Sequence, residues 1–149
     1  EELLAKIRAL PDCGDLSLSN IGIGSAIYAR KPGDGSAREQ AASCQRVLGA
    51  QANLAVEYAT KRYRSNLINW GILPFVVSDE KLFHAGDYVF IPGIRRALKD
   101  GSAISAYILD GAVQAALSLG ELSANEKQIL MDGCLINYYA AGKENPPRS

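Results

Sequence analysis

The chain has 149 residues, 48% of them hydrophobic, with 16 basic side chains against 16 acidic ones. That length suits one domain with a sizeable core, and the scattered, cancelling charge lacks the basic stripe of a nucleic-acid binder. No window approaches the roughly 20 consecutive apolar residues that span a bilayer, and the N-terminus lacks the order of a signal peptide, so a soluble, cytoplasmic domain engaging neither nucleic acid nor membrane is expected.

Leu3, Leu4, Ile7 and Leu10 mark one face of a short helix that Pro11 stops, so residues 1–12 read as an edge helix. The opening at Glu1, without an initiator methionine, points to a piece of a longer protein. DLSLSNIGIGSAIYA holds Gly22 and Gly24 and reads as a loop feeding a strand near Ser25–Ala29. The stretch KPGDGSAREQAASCQ begins at Lys31 and runs into a helix expected over Ala37–Leu48, ended by Gly49. NLAVEYA, Asn53–Ala59, then predicts a buried strand, which completes a strand–helix–strand unit.

YRSNLINWG reads as a second short helix ended by Gly71, and ILPFVVS as a strand whose Pro74 suggests an edge or a bulge. After DYVFIPG and a basic turn, IRRALKDG, two runs follow, AISAYILDG and AVQAALSLG. Asp110-Gly111 between them predicts an antiparallel pair. SANEKQILMDGCLINYYAAG opens on a capping box, Ser123 with Glu126, and reads as one helix to about Ala141 despite Gly133. The tail at 143–149, KENPPRS, has nothing apolar to bury and is expected to be frayed. Together these elements predict one α/β domain over 1–149, a three-layer β/β/α arrangement with a mixed sheet.

The stretch around Ser36 admits two readings. With Ser36 at the N-cap, Gly33 and Gly35 let the backbone approach closely and the first-turn amides point outward. A helix N-terminus carries roughly half a positive charge, and Arg38 adds a planar fork matched to a carboxylate, so the place suits a polycarboxylate. Ser36-x-x-Glu39 is equally a capping box, in which the hydroxyl caps the third amide and the glutamate reaches back. The two are compatible, since a helix start that satisfied Ser36 would also attract an anion.

Other residues are less telling. Cys13, Cys44 and Cys134 are odd in number, far apart and never arranged as C-x-x-C, so neither a disulfide framework nor a metal site is expected in this chain, and Cys44 reads as a small buried hydrophobe. Arg62 and Arg64 either face a cleft beside Ser36 or are solvated charges at a helix start. Asn66 is either a loop brace or a ligand contact. His84 lacks a neighbouring Ser or Cys and reads as a surface or core-edge residue. Trp70 and the tyrosines read as packing.

The stretch GDGSAREQAA, followed by VLGAQANLAVEYATKRYRSNLINWGILPF, is similar to the swivelling C-terminal domain of the aconitase superfamily, which includes aconitases, homoaconitases and isopropylmalate isomerases. The likeness rests on the Gly-x-Gly-Ser-x-Arg-Glu loop and on Asn66, Gly71 and Leu73-Pro74 downstream, strongest from about Ile23 to Val77. It implies a swivel domain of an iron–sulfur hydro-lyase that isomerises a citrate-type hydroxy-tricarboxylate by dehydration and rehydration. By the same resemblance Ser36 is the catalytic base and Arg38 a substrate-binding residue, with Gly35, Ala37, Asn66 and Arg64 beside it. Ala37 stands where the family has a second serine, and Lys31-Pro32 depart from the aconitase pattern.

The family's four-iron four-sulfur cluster is bound by three cysteines of another region, so the resemblance implies that cluster-binding domains, in cis or as a large subunit, are the partner, and that this domain alone is inactive. It also leaves open an isopropylmalate or homoaconitate isomerase subunit, or a non-catalytic member used for docking or anion binding.

Overall fold

A computed structural model describes residues 1–111 and 113–142. The expected frayed tail, 143–149, lies outside these described residues. Helix α1 (Glu2–Arg8) buries Leu4 and leads through a loop to strand β1 (Ser25–Ala29). Helix α2 (Arg38–Val47) returns to strand β2 (Ala50–Ala55), and helix α3 (Lys61–Asn69) returns to strand β3 (Leu73–Val76). These strands form a parallel sheet in the order β1–β2–β3, which puts Pro74 on an edge strand, where its missing N–H removes no inner ladder bond.

β2 begins three residues earlier than the sequence pattern implies. Ala50, Gln51 and Ala52 have little intrinsic strand preference, but Ala50 and Ala52 pair with Ser25 and Ala26, and this tertiary pairing decides. The register shifts between those two pairs, and the side chains change face there. Ala50 packs with Ala42, Tyr63, Leu67 and Ile72 under α2 and α3, whereas Ala52 and Leu54 face the second sheet.

That second sheet is antiparallel, in the order β4 (Val89–Phe90), β5 (Ile104–Ile108), β6 (Val113–Leu117). One bridge, Val76 to Ser118, joins the two sheets at their edges. Phe75, Val77, Phe83, Ala106, Ile108, Ala115 and Leu117 fill the core between them. Helices on one face of the parallel sheet and the antiparallel sheet on the other give the expected three layers, with parallel strands in the first half and antiparallel ones in the second.

Three local expectations are corrected. IRRALKDG is not a turn but helix α4 (Ile94–Asp100), set between Gly93 and Gly101, both left-handed, with Ala97 and Leu98 buried. The single C-terminal helix is two, α5 (Ala124–Asp132) and α6 (Leu135–Ala140), broken at Gly133 with φ of 98°. There the Gly133 carbonyl comes so close to Gly71 that a Cβ on Gly71 would overlap it. Cys44 is exposed rather than buried, because the fully buried face of α2 is carried by Ala42.

Candidate functional site

α2 and α3 both start at the C-terminal ends of parallel strands, so their N-termini open on the same edge of the sheet. In open α/β sheets this edge is where ligands bind. The loop between β1 and α2 is tied to the start of α3 by several bonds. The Ala59 amide donates to the Pro32 carbonyl at 2.9 Å, and the Thr60 hydroxyl donates to the Gly33 carbonyl at 3.1 Å. Thr60 is also the N-cap of α3, its oxygen accepting from the Tyr63 amide at 3.2 Å. Gly33 has φ of 97° and lies against the Tyr63 ring so closely that any side chain there would overlap it. The need for glycine at 33 therefore comes from the chain itself.

Beneath the loop, the Tyr63 hydroxyl is held from two sides, by Gln45 Nε2 at 2.8 Å and Asn53 Nδ2 at 3.1 Å, so one buried side chain ties α2, β2 and α3 together. Tyr58 donates to the carbonyls of Phe75, at 2.9 Å, and Asn53, at 3.3 Å. Burial pushes the Tyr58 hydroxyl far above the usual tyrosine range; the nearby Tyr63 adds to the shift, and Arg64 partly opposes it.

On this base sits a depression of about 480 Å³. Ser36, Ala37, Arg38, Glu39 and Gln40 line one side, and Arg62 and Asn66 of α3 the other. Two guanidinium groups thus face one carboxylate beside two helix N-termini. Arg38 Nε is buried without a hydrogen-bond partner, an arrangement that costs about 1–3 kcal/mol or more unless something supplies an acceptor. A carboxylate is the acceptor whose geometry matches the guanidinium fork.

The expected capping box at Ser36 is not formed. The N-cap of α2 is Ala37, which has no side-chain oxygen, and no side chain caps this helix. Ser36 stands one residue further out, exposed, in a bend. The first-turn amides of α2 therefore remain open toward the depression. Gly35 is exposed beside Ser36, with nothing within 4 Å of where a Cβ would stand, so its bareness keeps the approach to Ser36 open.

Of the residues picked out from the sequence, Ser36, Ala37, Arg38 and Asn66 come together here, while Gly35 precedes Ser36 in the loop without lining the depression. Arg64 does not join them. Its guanidinium donates to the carbonyls of Leu119, at 2.8 Å, and Glu121, at 3.0 Å, and lies 3.7 Å from Glu126, so it fastens α3 to the start of α5. Arg62, two residues earlier, lines the depression in its place. The bracing roles of Thr60 and Tyr63 are not visible in sequence, because Tyr63 stands where a capping box would show Glu or Gln. His84 is exposed, as expected for a surface residue.

A second depression, about 580 Å³, opens between α4 and the ends of β5 and β6. It is lined mainly by apolar and small residues, with Glu121 and Lys127 as its charged side chains, and offers no convergent set of reactive groups. Among the described residues no three His, Cys, Asp or Glu side chains stand together as metal ligands, and no helix is long and apolar enough to cross a membrane.

Residues 22–80 match the family model described as the aconitase C-terminal domain, a span running from just before β1 to just past β3. Twelve chains of solved structures match the fold. One is a 3-isopropylmalate dehydratase from Methanocaldococcus jannaschii, with a TM-score of 0.65 and 23% sequence identity over 83% of this chain and 68% of that one. A comparison with curated proteins gave no match.

Proposed function

From the match of residues 22–80 to the aconitase C-terminal domain model and the fold shared with a 3-isopropylmalate dehydratase, we propose that the chain is a swivel domain of the aconitase superfamily, serving a hydro-lyase in which Ser36 is the base and Arg38 holds a substrate carboxylate. The observation that carries this reading is the uncommitted state of both residues: Ser36 caps nothing, and Arg38 Nε is buried without a partner in the depression that Ser36 lines.

In such a reaction the Ser36 oxygen, as an alkoxide, takes the proton from the carbon alpha to a carboxylate. The electron pair left on that carbon forms the double bond as hydroxide departs from its neighbour, and rehydration runs the same steps in reverse. A serine hydroxyl is too weak a base in water, so its anion needs donors already in place. The open amides at the start of α2 and the guanidinium group of Arg38 supply them.

Cys13, Cys44 and Cys134 stand on separate segments and form no ligand set that would hold a cluster. The reading assigns the four-iron four-sulfur cluster to partner domains, in cis or as a large subunit, with the cytoplasm as the compartment that suits three unpaired thiols. Citrate-type tricarboxylates are the first substrate class. The fold shared with a 3-isopropylmalate dehydratase supports an isopropylmalate-type substrate as the second.

The test is an isomerisation assay of the assembled enzyme on citrate, homocitrate and isopropylmalate. Turnover of one of them is expected, with Ser36→Ala lowering kcat about 10²- to 10⁴-fold, the usual worth of a positioned acid–base group. Near-normal turnover in Ser36→Ala with an intact cluster, or no turnover of any of the three by wild type, would overturn the reading.

A further inference from the structure

The first turn of α3 has the wrong charge for its own helix. Lys61 and Arg62 occupy it and no acidic residue does, although a helix N-terminus favours anions and disfavours cations. Such a placement costs some stability, which an anion from outside the helix would offset. Among the described residues Arg62 takes part in no ion pair, and Glu57, in the loop before α3, is held 2.9 Å from Lys31. Glu39, the one carboxylate lining the depression, pairs with neither Arg38 nor Arg62.

The backbone at Arg62 is also fixed relative to Ser36. Thr60 and Tyr63, on either side of it, both grip Gly33: Thr60 through its hydroxyl bond to the Gly33 carbonyl, Tyr63 through the ring packed on Gly33. An exposed arginine on an unbraced helix start would sample solvent, but this one stands on a turn keyed to the serine loop. Its neighbour two residues on shows the alternative, since Arg64 is engaged by two carbonyls and a carboxylate.

From this arrangement we infer that Arg62 is a specificity residue: it binds a second carboxylate of the substrate, across the depression from the one held by Arg38. The inference rests on the reading of Ser36 and Arg38 given above and narrows it, because it requires that at least two carboxylates of the substrate face this domain. A monocarboxylic hydroxy acid would engage Arg38 alone.

The full chain, titrated with citrate and with lactate while the amide signals of Gly35, Ser36 and Asn66 are followed by NMR, reads this directly. Arg62→Gln is expected to weaken citrate binding about 10- to 100-fold, the range for a lost charge-assisted hydrogen bond, and to leave lactate binding unchanged. Arg62→Lys is expected to recover part of the loss, keeping the charge without the fork. In the assembled enzyme the same Arg62→Gln change should raise KM more than it lowers kcat. Citrate binding equal to wild type in Arg62→Gln, or equal losses for citrate and lactate, would overturn the inference. So would a wild-type chain whose amides do not respond to citrate. Failure of the Ser36 reading is scored separately, by the turnover of Ser36→Ala.

Discussion

The sequence Ser-Ala-x-Glu occurs twice in this chain, at Ser36–Glu39 before α2 and at Ser123–Glu126 before α5, and the two copies are put to different use. At α5 the box closes. The Ser123 amide donates to Glu126 Oε2 at 2.8 Å, the Glu126 amide donates to the Ser123 hydroxyl at 3.2 Å, and Arg64 adds its charge to Glu126 from α3. At α2 the helix begins one residue late, with Ala37 at the N-cap and no side-chain cap, and Ser36, Arg38 and Arg62 line the depression beside it. An identical local signature thus closes a capping box in one place and is left open in the other. The deciding factor is whether the preceding loop is pinned so that the serine falls on the cap, and Gly33, Thr60 and Tyr63 pin it elsewhere.

This contrast can be broken most readily at Arg64, where the largest change in stability is expected. Arg64→Met removes the donor to the Leu119 and Glu121 carbonyls and the ion at Glu126, and should lower unfolding free energy by about 2–3 kcal/mol while leaving substrate KM unchanged. A large rise in KM with stability intact would put Arg64 in the site and dissolve the division of labour between it and Arg62.

Next comes pH. The folded state holds the Tyr58 proton more tightly than the unfolded chain, where a tyrosine titrates near ~10. The stability contributed by this group is therefore fully present below about pH 10 and is lost as pH rises beyond it, by up to about 1.4 kcal/mol per pH unit. Denaturant titrations between about pH 9 and 11 should show that slope in wild type, and a flatter one in Tyr58→Phe. Equal slopes would mean that the base beneath the serine loop is not braced as described.

Smaller still is the effect of opening the closed box: Ser123→Ala should cost about 1 kcal/mol, read from the denaturation midpoint. A value near zero would erase the difference between the two serines from the structural side.

How much of this was legible in sequence follows the same division. Ser123 with Glu126, Gly49 and Gly71 as helix ends, Pro74 on an edge and Asp110-Gly111 between paired strands are local signals that the fold obeys, because nothing distant competes with them. The start of β2 escapes the local pattern because its first residues are strand only by pairing with β1. α4 resembles a turn in sequence because seven residues between two glycines give too short a period to recognise, although burial of Ala97 and Leu98 holds it as a helix. The break at Gly133 comes from the close approach of Gly71, sixty-two positions earlier in the chain.

The candidate site divides likewise. Ser36, Arg38 and Asn66 are visible in the motif, but the exchange of Arg64 for Arg62 is a matter of which side of α3 faces the loop, and helical phase near a boundary depends on a start that sequence places only to within a few residues.

The central claim is that Ser36 has been released from helix capping. Chemical denaturation of Ser36→Ala beside Ser123→Ala tests it most directly. A loss within about 0.5 kcal/mol for Ser36→Ala, against about 1 kcal/mol for Ser123→Ala, is the expected result. Equal losses in the two variants would show that Ser36 caps α2 after all, and would contradict the account.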